Sequence, residues 1–285
     1  MTVFFSCYFG GFCAFIADCQ RCGWHFVLGA AAEGMGHLVW NFSVVQTSSA
    51  NSCIFYAMSP IWCALFTIVW TRRLPPLYTM AAVVAVIVIA LTTYIQSRSS
   101  ARDTIVESAI GDIFGIGTGF FHGLFCAITA DAAQKYPDGN MLAVGCLGAF
   151  LPLACSLWME GAQVLRCWPN SGVLGFAWPL LNATLMSSTA ALNSLSLKYC
   201  EPVLFTLISL LDTLTEPGLV WLVLGEAPLN STLTCGLLLC ATLAAHEIVA
   251  NYSMELDNGK AKQEEALESS ASESTPLLQE TKQQV

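Results

Sequence analysis

Nine apolar stretches dominate this chain: 1–17, 24–46, 50–71, 77–96, 110–133, 141–159, 172–197, 203–224 and 231–250. A helix needs about 20 mostly apolar residues to cross a bilayer. In hydrocarbon no water satisfies a bare backbone N–H or C=O, so such a run must close its hydrogen bonds internally. Each stretch is therefore read as a transmembrane helix. The first is short and starts at Met1, but it lacks the basic opening of a signal peptide. Composition agrees: 55% of residues are hydrophobic and 11% charged, against about 25% charged in soluble domains. The fold class expected is an all-α polytopic membrane protein. Glycines recur inside the apolar runs, as suits helices that pack closely in lipid.

The net charge of −9 is unevenly spread. Residues 252–285 are polar, acidic and Ser-rich, and cannot bury enough apolar surface to fold alone. They are read as a disordered cytosolic tail. No basic patch exists, so nucleic acid is excluded as a partner. Arg21, Arg72, Arg73, Lys135 and Lys198 fall on one side of the expected topology, and Arg98, Arg102 and Arg166 on the other. The positive-inside rule puts the first group, and the C-terminus, in the cytosol. In the tail, Glu273 stands four residues before Leu277 and Leu278. This resembles the acidic dileucine signal that clathrin adaptors read, and implies a plasma-membrane or endosomal/lysosomal protein.

The chain repeats itself at low identity. Asn41 aligns with Asn193, Ser59 with Asp212, Arg73 with Glu226 and Pro75 with Pro228. Both copies read helix, short loop, helix, proline turn, helix. Five spans per repeat would give successive repeats opposite topology, as in many secondary transporters.

Two segments carry a family resemblance. "GDIFGIGTGFFHGLFCA" (Gly111–Ala127) opens the second half, and "LISLLDTLTEPGLVWLVLGEAP" (Leu207–Pro228) closes on Asp212, Pro217, Trp221, Gly225 and Glu226. The chain resembles EamA-type members of the drug/metabolite transporter superfamily, well over 110–250 and more weakly over 24–96. The resemblance implies two inverted repeats around a central substrate cavity, and export or exchange of small organic metabolites. On this reading residues 1–97 form a first repeat of about four helices, lacking one. Residues 98–109 are a loop, 110–250 a second repeat of five helices, and 251–285 the tail. Arg73 departs from the family's glutamate at that place.

Ionisable groups at membrane depth are costly, about 2.5–3.5 kcal/mol on insertion scales, and face other helices or water. Glu33 and His37 share a helix face, with Trp40 nearly on it and Asn41 one step round. Either they line a polar cavity, with Glu33 as ligand or proton carrier, or they form a packing pair. Asp212 and Glu216 repeat the spacing, with Ser209 a turn before; two carboxylates one turn apart disfavour double ionisation. Asn182 and Asn193 are candidate cavity or interhelical groups. His122 reads as packed, Asp131 with Lys135 as a solvated pair, and Asp112 as a cap of its helix. Cys19, Cys22 and His25 are a weak zinc signal without a second ligand pair. No metal, cofactor, nucleophile–base pair or phosphate-cradling loop is expected, so the chain is not read as an enzyme.

The expectation is a secondary-active transporter of small organic metabolites, with Glu33, Asp212 and Glu216 giving its cavity the negative or protonatable character that suits either proton coupling or amine-bearing solutes. The alternative is a non-transporting scaffold, regulator or truncated paralogue. Expected partners are a small-molecule solute, the lipid bilayer, clathrin adaptors at the tail, and a second copy in a homodimer.

Overall fold

The computed structural model describes residues 12–280, apart from 48, 73, 101–108, 138–140, 142–143, 149–150, 153, 156–157, 159–171, 213–214, 216–217, 220 and 223–229. All regular structure among the described residues is helical. The order is α1 (Phe12–Cys22), α2 (Trp24–Gln46), α3 (Ser49–Tyr56), α4 (Ser59–Thr71), α5 (Leu77–Ser100), α6 (Ala109–Lys135), α7 (Val144–Gly148), α8 (Gly172–Tyr199), α9 (Pro202–Ile208) and α10 (Asn230–Glu280). A 3-10 turn, Ser209–Leu211, extends α9.

Among the described residues four segments are long and apolar enough to cross a membrane: Asn51–Trp70, Leu77–Gln96, Ala109–Lys135 and Leu233–Leu256. Large apolar side chains also cover the outside. Val84, Val88, Leu91 and Ile95 form an exposed stripe along α5. A surface this greasy suits lipid rather than water, and the chain has the construction of a membrane protein. Four such segments stand where nine were expected. One reason is visible in α2, whose 23 residues include Glu33, His37, Asn41 and Gln46 among glycines and alanines. The expected spans 1–17, 141–159 and 203–224 fall partly outside the described residues; within them the structure describes α1 from Phe12, α7, and α9 with its 3-10 turn.

Local sequence explains the joints. Gly23 takes φ 52 between α1 and α2, a left-handed backbone that glycine adopts cheaply. Pro60 and Pro202 lie in the first turns of α4 and α9, where a missing N–H costs nothing. Arg72 ends α4 with φ 54, its N–H closing on Ile68 O.

Helix α6 is the axis of the bundle and packs against α2, α3, α4, α8 and α9. Its glycines make this approach close. A Cβ on Gly119 would sit 2.8 Å from Phe55 O, and one on Gly123 would sit 2.7 Å from Cys63 N. Only a residue without a side chain lets the α3–α4 backbone lie so near. Around this seam Phe125, Cys126, Ile128, Cys63 and Phe26 are buried. Helix α10 packs along α5, where Leu239 and Cys235 meet Val86 and Leu207.

The two ends of the bundle are distinguishable. At one, His25 Nε2 lies 2.8 Å from Asp131 Oδ2, Trp24 stacks on Trp70, and Lys198 Nζ donates to Pro137 O. Arg21, Arg72, Lys135 and Lys198 therefore gather at the same end. At the other, Ser43 Oγ donates to Gly111 O, and Thr47 and Tyr94 donate to Asp112.

The tail corrects an expectation. Residues 252–280 continue α10 as helix rather than forming a disordered segment. The stretch is rich in Glu, Lys, Gln, Ala and Leu, which lose little on entering a helix. Extending a helix already nucleated within the bundle costs far less than starting one.

Candidate functional site

The groups expected at membrane depth partly converge. Glu33 is buried in α2, and its Oε1 lies 3.3 Å from His37 Nε2 one turn on. The same face carries Trp40, whose ring meets Tyr56 edge-on at 6.0 Å. Tyr56 is the last residue of α3, at the break before α4. Its Oη lies 3.1 Å from His122 Nε2 in the middle of α6.

The 3-10 turn after α9 brings Ser209 near the same hydroxyl, while Ser209 Oγ itself donates to Phe205 O. Asp212 follows that turn and is exposed. The charges of Asp212 and Glu33 both act on Tyr56, and Glu33 and His37 both act on His122. The arrangement is a polar knot drawn from α2, α3, α6 and the end of α9, walled by Phe125, Cys126 and Phe205.

The other candidates divide. Asn41 is exposed on α2, away from the knot. Asn193 is half-buried on α8 and makes no hydrogen bond to the knot among the described residues. Glu216 lies outside the described residues, as does the side chain of Asn182. Glu273, Leu277 and Leu278 fall on the last turns of α10, with their side chains likewise outside.

Three of these groups acquire partners across the bundle. Asp131 and Lys135 do pair, at 2.8 Å, but Asp131 is only 12% exposed and also holds the buried His25. The expected solvated pair is thus a clamp between α2 and α6. Asp112 is buried and accepts from Thr47, at the end of α2, and from Tyr94 of α5, so it ties three elements together. His25, offered as a weak zinc ligand beside Cys19 and Cys22, is committed to Asp131.

Tyr56 is the residue that the sequence reading missed. A hydroxyl inside an apolar span, immediately before the helix-breaking "AMSP", was the available signal. His122 was noticed but read as packing; its partner lies 66 residues away in sequence. Chemically, the knot offers two carboxylates, two imidazoles, a phenol and an alcohol. Such a set can bind a polar solute or pass a proton. No protein-family model matches the chain, and no curated protein matches it.

Proposed function

We propose that this chain is a secondary-active transporter of small organic metabolites, built as two inverted EamA-like repeats, and that the knot around Tyr56 is its coupling and substrate site. The observation that supports this most is the meeting of two broken helices at one polar cluster. The turn at Ala57–Met58 precedes Ser59, and the 3-10 turn at Ser209–Leu211 precedes Asp212. Ser59 and Asp212 are the residues that the repeat pairs. Discontinuous helices near the midplane are how many transporters present backbone and side-chain groups to solute and ion.

Glu33 with His37 on one side, and Asp212 on the other, supply protonatable groups to that meeting point. Loading with a proton or a cationic solute neutralises charge that is expensive in a low-dielectric interior. The end gathering Arg21, Arg72, Lys135 and Lys198 faces the cytosol by the positive-inside rule. Helix α10 leaves the bundle at this end, since His246 meets Thr79 near the start of α5. The Glu273–Leu277–Leu278 motif is then available to cytosolic sorting adaptors.

The test is flux of a panel of labelled small solutes into proteoliposomes, with and without a proton gradient. Glu33→Gln and Asp212→Asn should abolish flux or its response to the gradient. Undiminished, gradient-independent flux in both variants removes the proposed roles.

A further inference from the structure

We propose that a cavity at the Arg21–Lys198 end of the bundle, distinct from the knot, is a binding site for an organic ammonium ion. The cavity holds about 500 Å³ between the end of α4, the end of α6 and the start of α9. That volume falls in the range of small-molecule sites, roughly 300–1,000 Å³.

Its wall has one electrostatic character. Asp131 and Glu201 line it, and no basic side chain is among its lining residues, of those described. Lys135 and His25 both bind Asp131 through the same oxygen, Oδ2. Oδ1 takes no hydrogen bond among the described residues. Lys198 is directed to Pro137 O. Glu201 is exposed at the start of α9, and its side chain caps no backbone N–H there. Among the described residues the cavity therefore keeps carboxylate oxygens that no hydrogen bond consumes.

The rest of the wall suits the carbon frame of such a ligand. Trp70 contributes an indole already held in place by stacking on Trp24, with centroids 5.9 Å apart. A cation over an indole face gains quadrupole attraction, and the ring is the best of the aromatic side chains for it. Pro75, Ala130 and Val203 make the remaining surface apolar. Carboxylates, an indole and apolar walls together select a positively charged amine with hydrocarbon bulk. They disfavour an organic acid, which would face the Glu201 carboxylate, while Asp131 is already paired with Lys135.

The inference does not depend on transport. Binding without flux would count against the transporter reading alone, and flux without this binding would count against the cavity alone.

The experiment uses the full chain in nanodiscs and two probes of similar size and opposite charge, phenethylammonium and 3-phenylpropionate. Binding is read by calorimetry and by thermal shift, since a ligand of the native form raises its melting temperature. Phenethylammonium should bind and 3-phenylpropionate should not. Glu201→Gln should weaken binding about tenfold, and Glu201→Lys should abolish it. Both variants should fold, because Glu201 is exposed and its side chain supports no cap. Glu255→Gln, an exposed change on α10 outside the wall, should leave binding as it is. Equal binding of the two probes, or wild-type affinity in both Glu201 variants, overturns the proposal.

Discussion

Tyr56 Oη and His122 Nε2 lie 3.1 Å apart and join the broken α3–α4 span to the middle of α6. The bond is enclosed by Trp40, Phe125 and Phe205. Tyr56→Phe keeps the ring and removes only the hydroxyl. It leaves His122 without this partner in a protein interior, at a cost of about 1–3 kcal/mol. The thermal midpoint of the variant in detergent should fall accordingly. A wild-type midpoint would mean that the hydroxyl contributes nothing to holding the two helices together.

The sequence made some of this arrangement legible and hid the rest. Glu33, His37 and Trp40 could be put on one face because helical periodicity fixes neighbours three, four and seven residues apart. The pairing of Ser59 with Asp212 could be read from the internal repeat, but 50–71 and 203–224 each read as one unbroken apolar run, so the breaks within them were not legible. Which helices meet is a different matter. Tyr56, His122 and Ser209 come together through close packing on the glycine face of α6, and no periodicity relates α3, α6 and α9. Asp131 misled for the same reason. Its neighbour Lys135 was visible at i+4, whereas His25, 106 residues away, was not. The continuous α10 beyond residue 251 was hidden by composition, since acidic and Ser-rich segments share helix formers with unstructured ones.

The glycine face of α6 allows a paired test. Gly123→Ala would drive a methyl group to 2.7 Å from Cys63 N and 2.9 Å from Ser59 O. These are backbone atoms, so the helices themselves must separate, and overpacking of this kind costs about 1–3 kcal/mol. Gly117→Ala would meet only Val39 side-chain carbons at 3.8–3.9 Å, ordinary contact distance. The first variant should lower the thermal midpoint and the second should leave it within error or raise it slightly. Equal behaviour of the two would show that α3–α4 does not press on α6 in solution.

Asp112 should matter more than its place in a first helical turn suggests. It accepts from Tyr94 Oη at 2.7 Å and from Thr47 Oγ1 at 3.3 Å, and it is buried. Hydrogen bonds to a charged acceptor contribute about 1.5–3 kcal/mol each. Asp112→Asn preserves the shape but weakens both bonds, and should lower thermal stability clearly. Tyr94→Phe should lower it less, and the double variant should fall short of the sum, because the two changes remove one shared bond. Strict additivity in that cycle would break the link between α5 and α6 drawn here.

Cys200 offers a reading of charge at the proposed ammonium site. It lies in the turn between α8 and α9, outside the expected spans, and is half-buried. Burial pushes its thiol pKa up, and the negative charges of Glu201 and Glu247 push it further in the same direction. The thiolate is the reactive form. A raised pKa therefore means less thiolate near neutral pH, slower alkylation than at an ordinary exposed cysteine, and a rate that climbs with pH. Glu201→Gln removes one of the two negative fields, lowers the thiol pKa and should speed alkylation at fixed pH, on the order of twofold for one solvent-screened charge. Peptide mapping by mass spectrometry after timed maleimide exposure reads this cysteine separately from the other twelve. Saturating phenethylammonium should act in the same direction in the wild type, because a cation seated beside Glu201 offsets that field. Slower labelling in Glu201→Gln would invert the sign and remove Glu201 as a source of the field that raises the Cys200 thiol pKa.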